Sequence, residues 1–237
     1  MNGTVAAISA RALLGRRRFL LLLPLPVLLV GLAALAHAAQ PDPTDWGGPV
    51  LAGLGFGVVL PMIALLVGTA VLGAEIDDGT IVHLLATPVA RRDIVLAKLL
   101  VAAGITAAVS AVPMYLTGLI VAGGRLGLGL ALASVLGSAA YSAVFLTLSV
   151  LTRRPVLIGL LYVLIWEGLL GNLLAGSRLL SIQQYTLTIA AKAGDTTLLP
   201  DKVSLPVALV MTAVFLIGGT VLAIERLRSF RLTGETA

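Results

Sequence analysis

The sequence predicts an all-α polytopic membrane protein with six transmembrane helices. Of its 237 residues, 59% are hydrophobic and 11% are charged, whereas a soluble domain averages roughly 45–50% apolar and about 25% charged residues. The mean hydropathy of +1.07 agrees with this composition. A span needs about 20 apolar residues, and six apolar stretches reach that length, with Glu167 as their one charged residue. The chain is therefore expected to form one membrane domain over residues 1–237.

Charged or turn-forming residues set the limits of the six predicted spans. The spans are 19–39, 50–74, 99–122, 127–151, 155–175 and 205–224. Residues 1–18 precede them as an interfacial segment, and residues 225–237 follow them as a tail. The two long connections, 75–98 and 176–204, are the places where structure outside the spans is expected.

The basic residues predict the orientation of these spans. With residues 1–18 in the cytoplasm, 12 Lys and Arg fall on the inner side and 4 on the outer side. Cytoplasmic loops of membrane proteins carry the excess of Lys and Arg. Both termini are therefore predicted to be cytoplasmic, and the protein is expected in the cell membrane, meaning the inner or plasma membrane.

The amino-terminal segment allows a second interpretation. Arg16, Arg17 and Arg18 precede an apolar run that ends near Ala36-His37-Ala38, and cleaved secretory signals share this pattern. The run of about 20 residues exceeds the usual signal core of roughly 7–15 residues. A retained first span is therefore favoured, preceded by a basic flank or by a short amphipathic helix on the inner leaflet.

The connection 75–98 is the most informative stretch. Asp78 or Thr80 can cap a helix start, and Pro88 disfavours helix at the residue before it. The result is a helix of about two turns, which does not hold itself in water. Its apolar residues share one face; they are Ile81, Leu84 and Leu85. That face must therefore rest on the membrane surface, on the protein's own helix ends or in a groove of a partner.

The residues of this connection resemble the signature of ABC type-2 transporter permeases. In order, the matching residues are Glu75, Gly79, Thr80, Leu84, Leu85, Pro88, Arg91 and Lys98. In that family the segment between spans two and three is the coupling helix, which inserts into a separate ATPase subunit. The resemblance thus assigns ATPase coupling to residues 75–98, including Asp78 and Ile81. The alternative is a capped, solvated loop that only anchors two spans.

The resemblance also implies the partners and the task of the chain. It implies a permease subunit that exports its substrate and works with two copies of a cytoplasmic ABC ATPase and a second permease copy, as a homodimer or a heterodimer. ATP and Mg would bind the ATPase, because this chain contains no Gly-x-x-x-x-Gly-Lys-Ser/Thr phosphate loop. We expect no cofactor, metal or nucleic acid on this chain. It has no cysteine, and its two histidines, His37 and His83, are predicted on opposite sides of the membrane.

Polar residues inside the spans are the candidates for a translocation path. Glu167 is the one acidic residue within a predicted span, and an intramembrane carboxylate is costly unless it faces a bundle interior or water. It either lines the export route or is protonated or bonded to a neighbouring helix end. Thr106, Ser110 and Thr117 share one face of span three, which indicates either close helix packing or a lined path.

The external segment 176–204 is half apolar and is expected to contain a helix lying partly in the outer leaflet, as in the family. The apolar interior favours an amphiphilic substrate. Two functions of other classes stay open from the residues: an intramembrane enzyme that uses Glu167, and a membrane scaffold that recruits a cytoplasmic protein. Neither alternative requires an ATPase.

Overall fold

The computed structural model describes residues 22–40, 42–77, 90–171 and 179–229, and within them the chain forms helices and turns without a strand. The helices are α1 (Pro24–Ala39), α2 (π-helical Pro49–Val59 continuing as α-helical Leu60–Asp77), α3 (Arg91–Ala122), α4 (Gly124–Leu151), α5 (Pro155–Leu161 continuing as π-helical Tyr162–Leu170), α6 (Ile182–Gly194) and α7 (Leu205–Ser229). The predicted all-α class is confirmed.

Four of these helices, α2, α3, α4 and α7, are long and apolar enough to cross a membrane. Helices α1 and α5 are shorter apolar helices in the part of the chain that the structure describes. The predicted spans also include residues 19–21 and 172–175, which lie outside the described residues. The crossing of all six segments therefore stays a prediction.

The helices extend past the apolar stretches that mark them in the sequence. Helix α3 begins at Arg91, eight residues before the predicted span, and α7 continues to Ser229. Helical hydrogen bonds do not depend on apolar side chains, so the polar flanks continue the same helices. Between α3 and α4 a single residue, Gly123, leaves the helical conformation, with a φ of 89°. Glycine reaches this region without the steric cost of a side chain.

Helix α4 is the centre of the bundle and packs against α2, α3, α5, α6 and α7. Small residues allow this close approach: a Cβ added at Gly129 would lie 2.4 Å from the backbone nitrogen of Gly194 in α6. A Cβ at Gly118 of α3 would lie 2.5 Å from the Cα of Gly127 in α4. Such backbone contacts are typical of helices that associate within membranes.

The predicted helix of the segment 176–204 is present as α6, but it lies inside the protein rather than at its surface. Residues from Ile182 to Ala191 are all buried, including the polar side chains Gln183, Gln184, Thr186 and Thr188. The end of α6 lies beside Gly129, and Thr186 lies beside Gly137. Helix α6 therefore follows the first half of α4 and starts near the middle of it. Protein contacts spare its polar residues the cost of facing hydrocarbon.

Candidate functional site

The residues assigned to ATPase coupling divide into two groups. Seven of them lie outside the described residues: Asp78, Gly79, Thr80, Ile81, Leu84, Leu85 and Pro88. The other three lie on the flanking helices, with Glu75 in the last turns of α2, Arg91 at the start of α3, and Lys98 two turns later. The flanks of the segment can therefore be described, and the docking face remains a prediction.

Arg91 joins the start of α3 to the end of α7. Its Nη1 donates to the carbonyl oxygen of Leu227 at 2.9 Å and also to that of Arg228. The last carbonyls of a helix have no partner within the helix, and a cation there is favoured by the helix dipole. Ala90, the residue before Arg91, is extended and exposed. Because Arg91 contacts the last carbonyls of α7, the chain enters α3 at the same end of the bundle where α7 finishes.

Lys98 joins α3 to α2. Its side chain is fully buried, and its Nζ donates to the carbonyl oxygen of Val71 at 2.8 Å. Lysine is almost never fully buried unless its ammonium group has partners. Helices α2 and α3, which flank the connection 78–90, are therefore tied together about one and a half turns before the end of α2, at 3.6 residues per turn.

The polar stripe on α3 faces the central helix. Thr106, Ser110 and Thr117 are fully buried. The hydroxyl of Ser110 donates to the carbonyl of Thr106 at 2.7 Å and lies 3.3 Å from the hydroxyl of Ser138 on α4. Thr117 donates to the carbonyl of Pro113 at 2.8 Å. These contacts match the close-packing interpretation, and a role in a translocation path stays a prediction for all three.

Glu167 lies at the amino-terminal end of α6, where its carboxylate accepts four hydrogen bonds. The Tyr162 hydroxyl donates to Oε1 at 2.9 Å, and the Ser181 hydroxyl donates to Oε2 at 2.5 Å. The backbone N–H groups of Ile182 and Gln183 donate at 3.0 and 3.1 Å. The first N–H groups of a helix have no partner within the helix and carry the positive end of its dipole. Of the interpretations open from the sequence, this geometry matches bonding to a neighbouring helix end.

Ser181 completes this arrangement and was missed by the sequence reasoning. Its hydroxyl oxygen accepts from the backbone N–H of Gln184 at 3.3 Å while its proton goes to Glu167. The signal was present, because Ser followed three residues later by Gln is the pattern of a capping box at a helix start. The capping pattern does not reveal that the Glu167 carboxylate of another helix accepts from the first two N–H groups, those of Ile182 and Gln183.

Several aromatic side chains lie near the Glu167 site. The buried Tyr141 of α4 lies close enough for electrostatic interaction with it, and Phe145 stacks on Tyr141 with ring centroids 5.8 Å apart. Trp166 donates from its indole nitrogen to the carbonyl of Leu180 at 3.0 Å. The hydroxyl of Tyr185 donates to the carbonyl of Leu179. The turn that enters α6 is thus held by side chains from both α5 and α6.

Gln183 links the same end of α6 to α2. Its Nε2 donates to the carbonyl oxygen of Ala52, at 3.2 Å, within the π-helical part of α2. A Cβ added at Gly57 of α2 would lie 3.0 Å from that nitrogen. The start of α6 is therefore connected to α5 through Glu167 and to α2 through Gln183.

Ion pairs mark the opposite end of the bundle from Arg91. Arg125 contacts Asp195 at 2.9 Å, and Lys192 contacts Asp201 at 2.6 Å. The hydrogen bond from Lys192 lowers the pKa of the exposed Asp201 carboxyl. Both pairs are solvent-exposed, so each contributes little to stability. Among the described residues, no three His, Asp or Glu side chains are grouped so that they could hold a metal ion.

A comparison with protein families gives a match over most of this chain. No curated protein gives a significant match to the chain. The family model described as "ABC-2 family transporter protein" matches residues 15–175, which cover α1 to α5 and the segment between α2 and α3. A transport subunit is therefore indicated rather than an enzyme. The chain belongs to the ABC-2 transporter family, whose members are membrane permeases of ABC transporters.

Proposed function

We propose that this chain is the transmembrane subunit of an ATP-driven exporter that moves an amphiphilic substrate. The observation that carries the proposal is the family match over residues 15–175, on a helical bundle with four helices able to cross a membrane. In this proposal six segments cross the plasma membrane, and both termini are cytoplasmic. The segment 75–98 contacts a separate cytoplasmic ATPase.

Charge and contacts support the proposed orientation. The 12 Lys and Arg assigned to the inner side include Arg91 and Arg228, which meet in the structure at one end of the bundle. The 4 assigned to the outer side include Arg125 and Lys192, which form ion pairs with Asp195 and Asp201 at the other end. The positive-inside rule favours a cytoplasmic location for the first of these ends.

The flanks of the coupling segment support its mechanical role. Lys98 ties α3 to α2, and Arg91 ties α3 to the end of α7. A displacement of the segment by the ATPase would therefore act on three helices together. Since α4 packs against all three, their movement would change the interior of the bundle.

The proposed assembly contains two permease copies and two ATPase copies, because ABC-2 permeases generally dimerise and work with a cytoplasmic ATPase. ATP and Mg would bind the ATPase subunits. The second permease copy is either identical or a related chain. The alternative of an intramembrane enzyme has less support, since four protein donors already occupy the carboxylate of Glu167.

The test is purification of the tagged chain from its native membranes in mild detergent, with mass spectrometry and an assay of ATP hydrolysis. We expect an ATPase with a phosphate-binding loop in equal stoichiometry and ATP hydrolysis that depends on it. A homogeneous preparation without any ATPase would contradict the proposed function. A preparation with a different cytoplasmic protein in stoichiometric amount would favour the scaffold alternative.

A further inference from the structure

Glu167 lies between two helices, α5 and α6, that differ in exposure. Helix α5 is half-exposed along its length, and its residue Leu169 is 53% exposed. Helix α6 is buried from Ile182 to Ala191. The polar bonds between the two helices converge on the carboxylate of Glu167, whose four donors come from the π-helical part of α5 and from the start of α6.

The four donors require a carboxylate at this position. Two of them are backbone N–H groups, which can only donate, and they face different oxygens: Ile182 faces Oε1 and Gln183 faces Oε2. A glutamine amide has the same shape but only one acceptor atom. In either orientation its NH2 group would point at one of these two N–H groups. The site therefore requires a side chain with two acceptor oxygens. A polar side chain of the same size with one acceptor does not meet this requirement.

The contact between α6 and α4 is of a different kind. Its closest approaches are at glycines, with Gly129 against Gly194 and Gly137 against Thr186, and the exposed Arg125–Asp195 ion pair joins α4 to the end of α6. Close packing of small residues contributes dispersion energy but no directional bond. On α5, by contrast, the bonds have fixed donors and acceptors, and a shift of about 1 Å would break them. Helix α6 is thus fixed at its start by directed hydrogen bonds to α5 and α2, and along its length to α4 chiefly by close packing.

We propose that Glu167 is a positioning residue that joins α5 to the start of α6, so that the two helices keep one relative position during transport. Tyr162 orients one carboxylate oxygen, and Ser181 orients the other while it caps α6. The joint is a property of this chain alone. Its use during transport rests on the function proposed above.

The first experiment measures the joint without an ATPase. Because the chain has no cysteine, pairs of spin labels can be placed at cysteines introduced at exposed positions and measured in lipid nanodiscs. Leu169→Cys with Ala193→Cys reports the distance between α5 and α6, and Leu100→Cys with Leu128→Cys reports the α3–α4 hairpin. All four positions are exposed.

In the parent chain we expect one narrow distance between positions 169 and 193. Glu167→Gln should replace it with a broad distribution, while the hairpin distance stays unchanged. Glu225→Gln is the matched control, since it makes the same chemical change at an exposed carboxylate of α7, and should leave both distances unchanged. Ser181→Ala, which keeps the carboxylate, should give an intermediate breadth.

Two results would overturn the joint. One is the parent distribution between positions 169 and 193 retained in Glu167→Gln. The other is broadening of both distances together, which would make Glu167 a residue of general stability. In the intermediate variant Ser181→Ala, an unchanged distribution would likewise contradict the role given to that hydroxyl.

The second experiment measures the same joint in the complex with the co-purified ATPase, nucleotide-free and trapped with ATP and vanadate. We expect the distance between 169 and 193 to be the same in the two states. A different distance between 169 and 193 in the trapped complex would overturn the proposal. Failure to recover any ATPase would count against the proposed function and leave the first result intact.

Discussion

The Ser181 hydroxyl is both a donor and an acceptor, so its removal tests how the start of α6 is stabilised. It donates to Glu167 and accepts from the backbone N–H of Gln184. Ser181→Ala removes the cap and one of the four donors, and loss of such a cap costs about 0.5–2 kcal/mol. We expect a lower unfolding temperature of the purified protein in detergent. Ser229→Ala, which removes an exposed hydroxyl bonded within the last turn of α7, should leave that temperature unchanged.

Leu84 tests the docking face proposed for residues 75–98. Leu84→Asp places a charge among Ile81 and Leu85, and burying an unpaired charge in a partner's groove is strongly unfavourable. We expect loss of the co-purifying ATPase with normal insertion of the chain. Ala90→Asp adds the same charge at an exposed residue before α3 and should keep the ATPase. Normal ATPase recovery with Leu84→Asp would contradict the assignment of residues 75–98.

At the scale of helices, Gly129 tests the contact between α4 and α6. A methyl group there would lie 2.4 Å from the backbone of Gly194, and such overpacking costs roughly 1–3 kcal/mol. Gly129→Ala should therefore lower the unfolding temperature. Gly31→Ala in α1 adds the same methyl group where no atom lies within 4 Å, and alanine is the better helix former. An equal effect of the two substitutions would contradict the close contact.

Arg91 tests the connection between α3 and the end of α7. Arg91→Ala removes a cation that bonds two terminal carbonyls of α7, an interaction of about 0.3–1 kcal/mol. Hydrogen exchange in the last turn of α7 should become faster, up to about fivefold. Exchange in α4 should not change. Arg92→Ala, at the exposed neighbouring residue, should leave the α7 signal as it is in the parent chain.

Helix identity was predictable from the sequence, whereas helix contacts were not. The apolar stretches located α2, α3, α4 and α7, because length and hydropathy decide which helices can cross a bilayer. The π-helical parts of α2 and α5 left no sign, since their apolar composition matches that of an α-helix. The bond between Arg91 and Leu227 joins residues 136 positions apart, and no local pattern encodes such a pair.

The same limit applies to the candidate site. Glu167 could be singled out because a carboxylate in an apolar span needs a partner. Its partners could not be named, because three of the four donors belong to residues 181–183, beyond the end of α5. The burial of α6 was likewise hidden, since its mixture of polar and apolar residues fits a helix at a membrane surface equally well.

For the whole molecule, the absence of cysteine permits a direct test of topology. Single cysteines in place of Arg125 or Lys202, assigned to the outside, should react with a membrane-impermeant thiol reagent in intact cells. Those in place of Arg92 or Arg228, assigned to the cytoplasm, should react only after the cells are permeabilised. The parent chain is the blank, because it has no thiol to modify. Reversed labelling would require the opposite orientation of the bundle.

The turn at Gly123 has a consequence for engineering and for insertion into the membrane. One residue with φ of 89° joins two helices of 32 and 28 residues, so the connection between α3 and α4 has no additional loop residues. Such a hairpin is suited to enter the bilayer as one piece. An epitope tag inserted at Gly123 should disrupt assembly, while the same tag between Asp201 and Ser204, in the non-helical stretch before α7, should be tolerated and displayed at the surface.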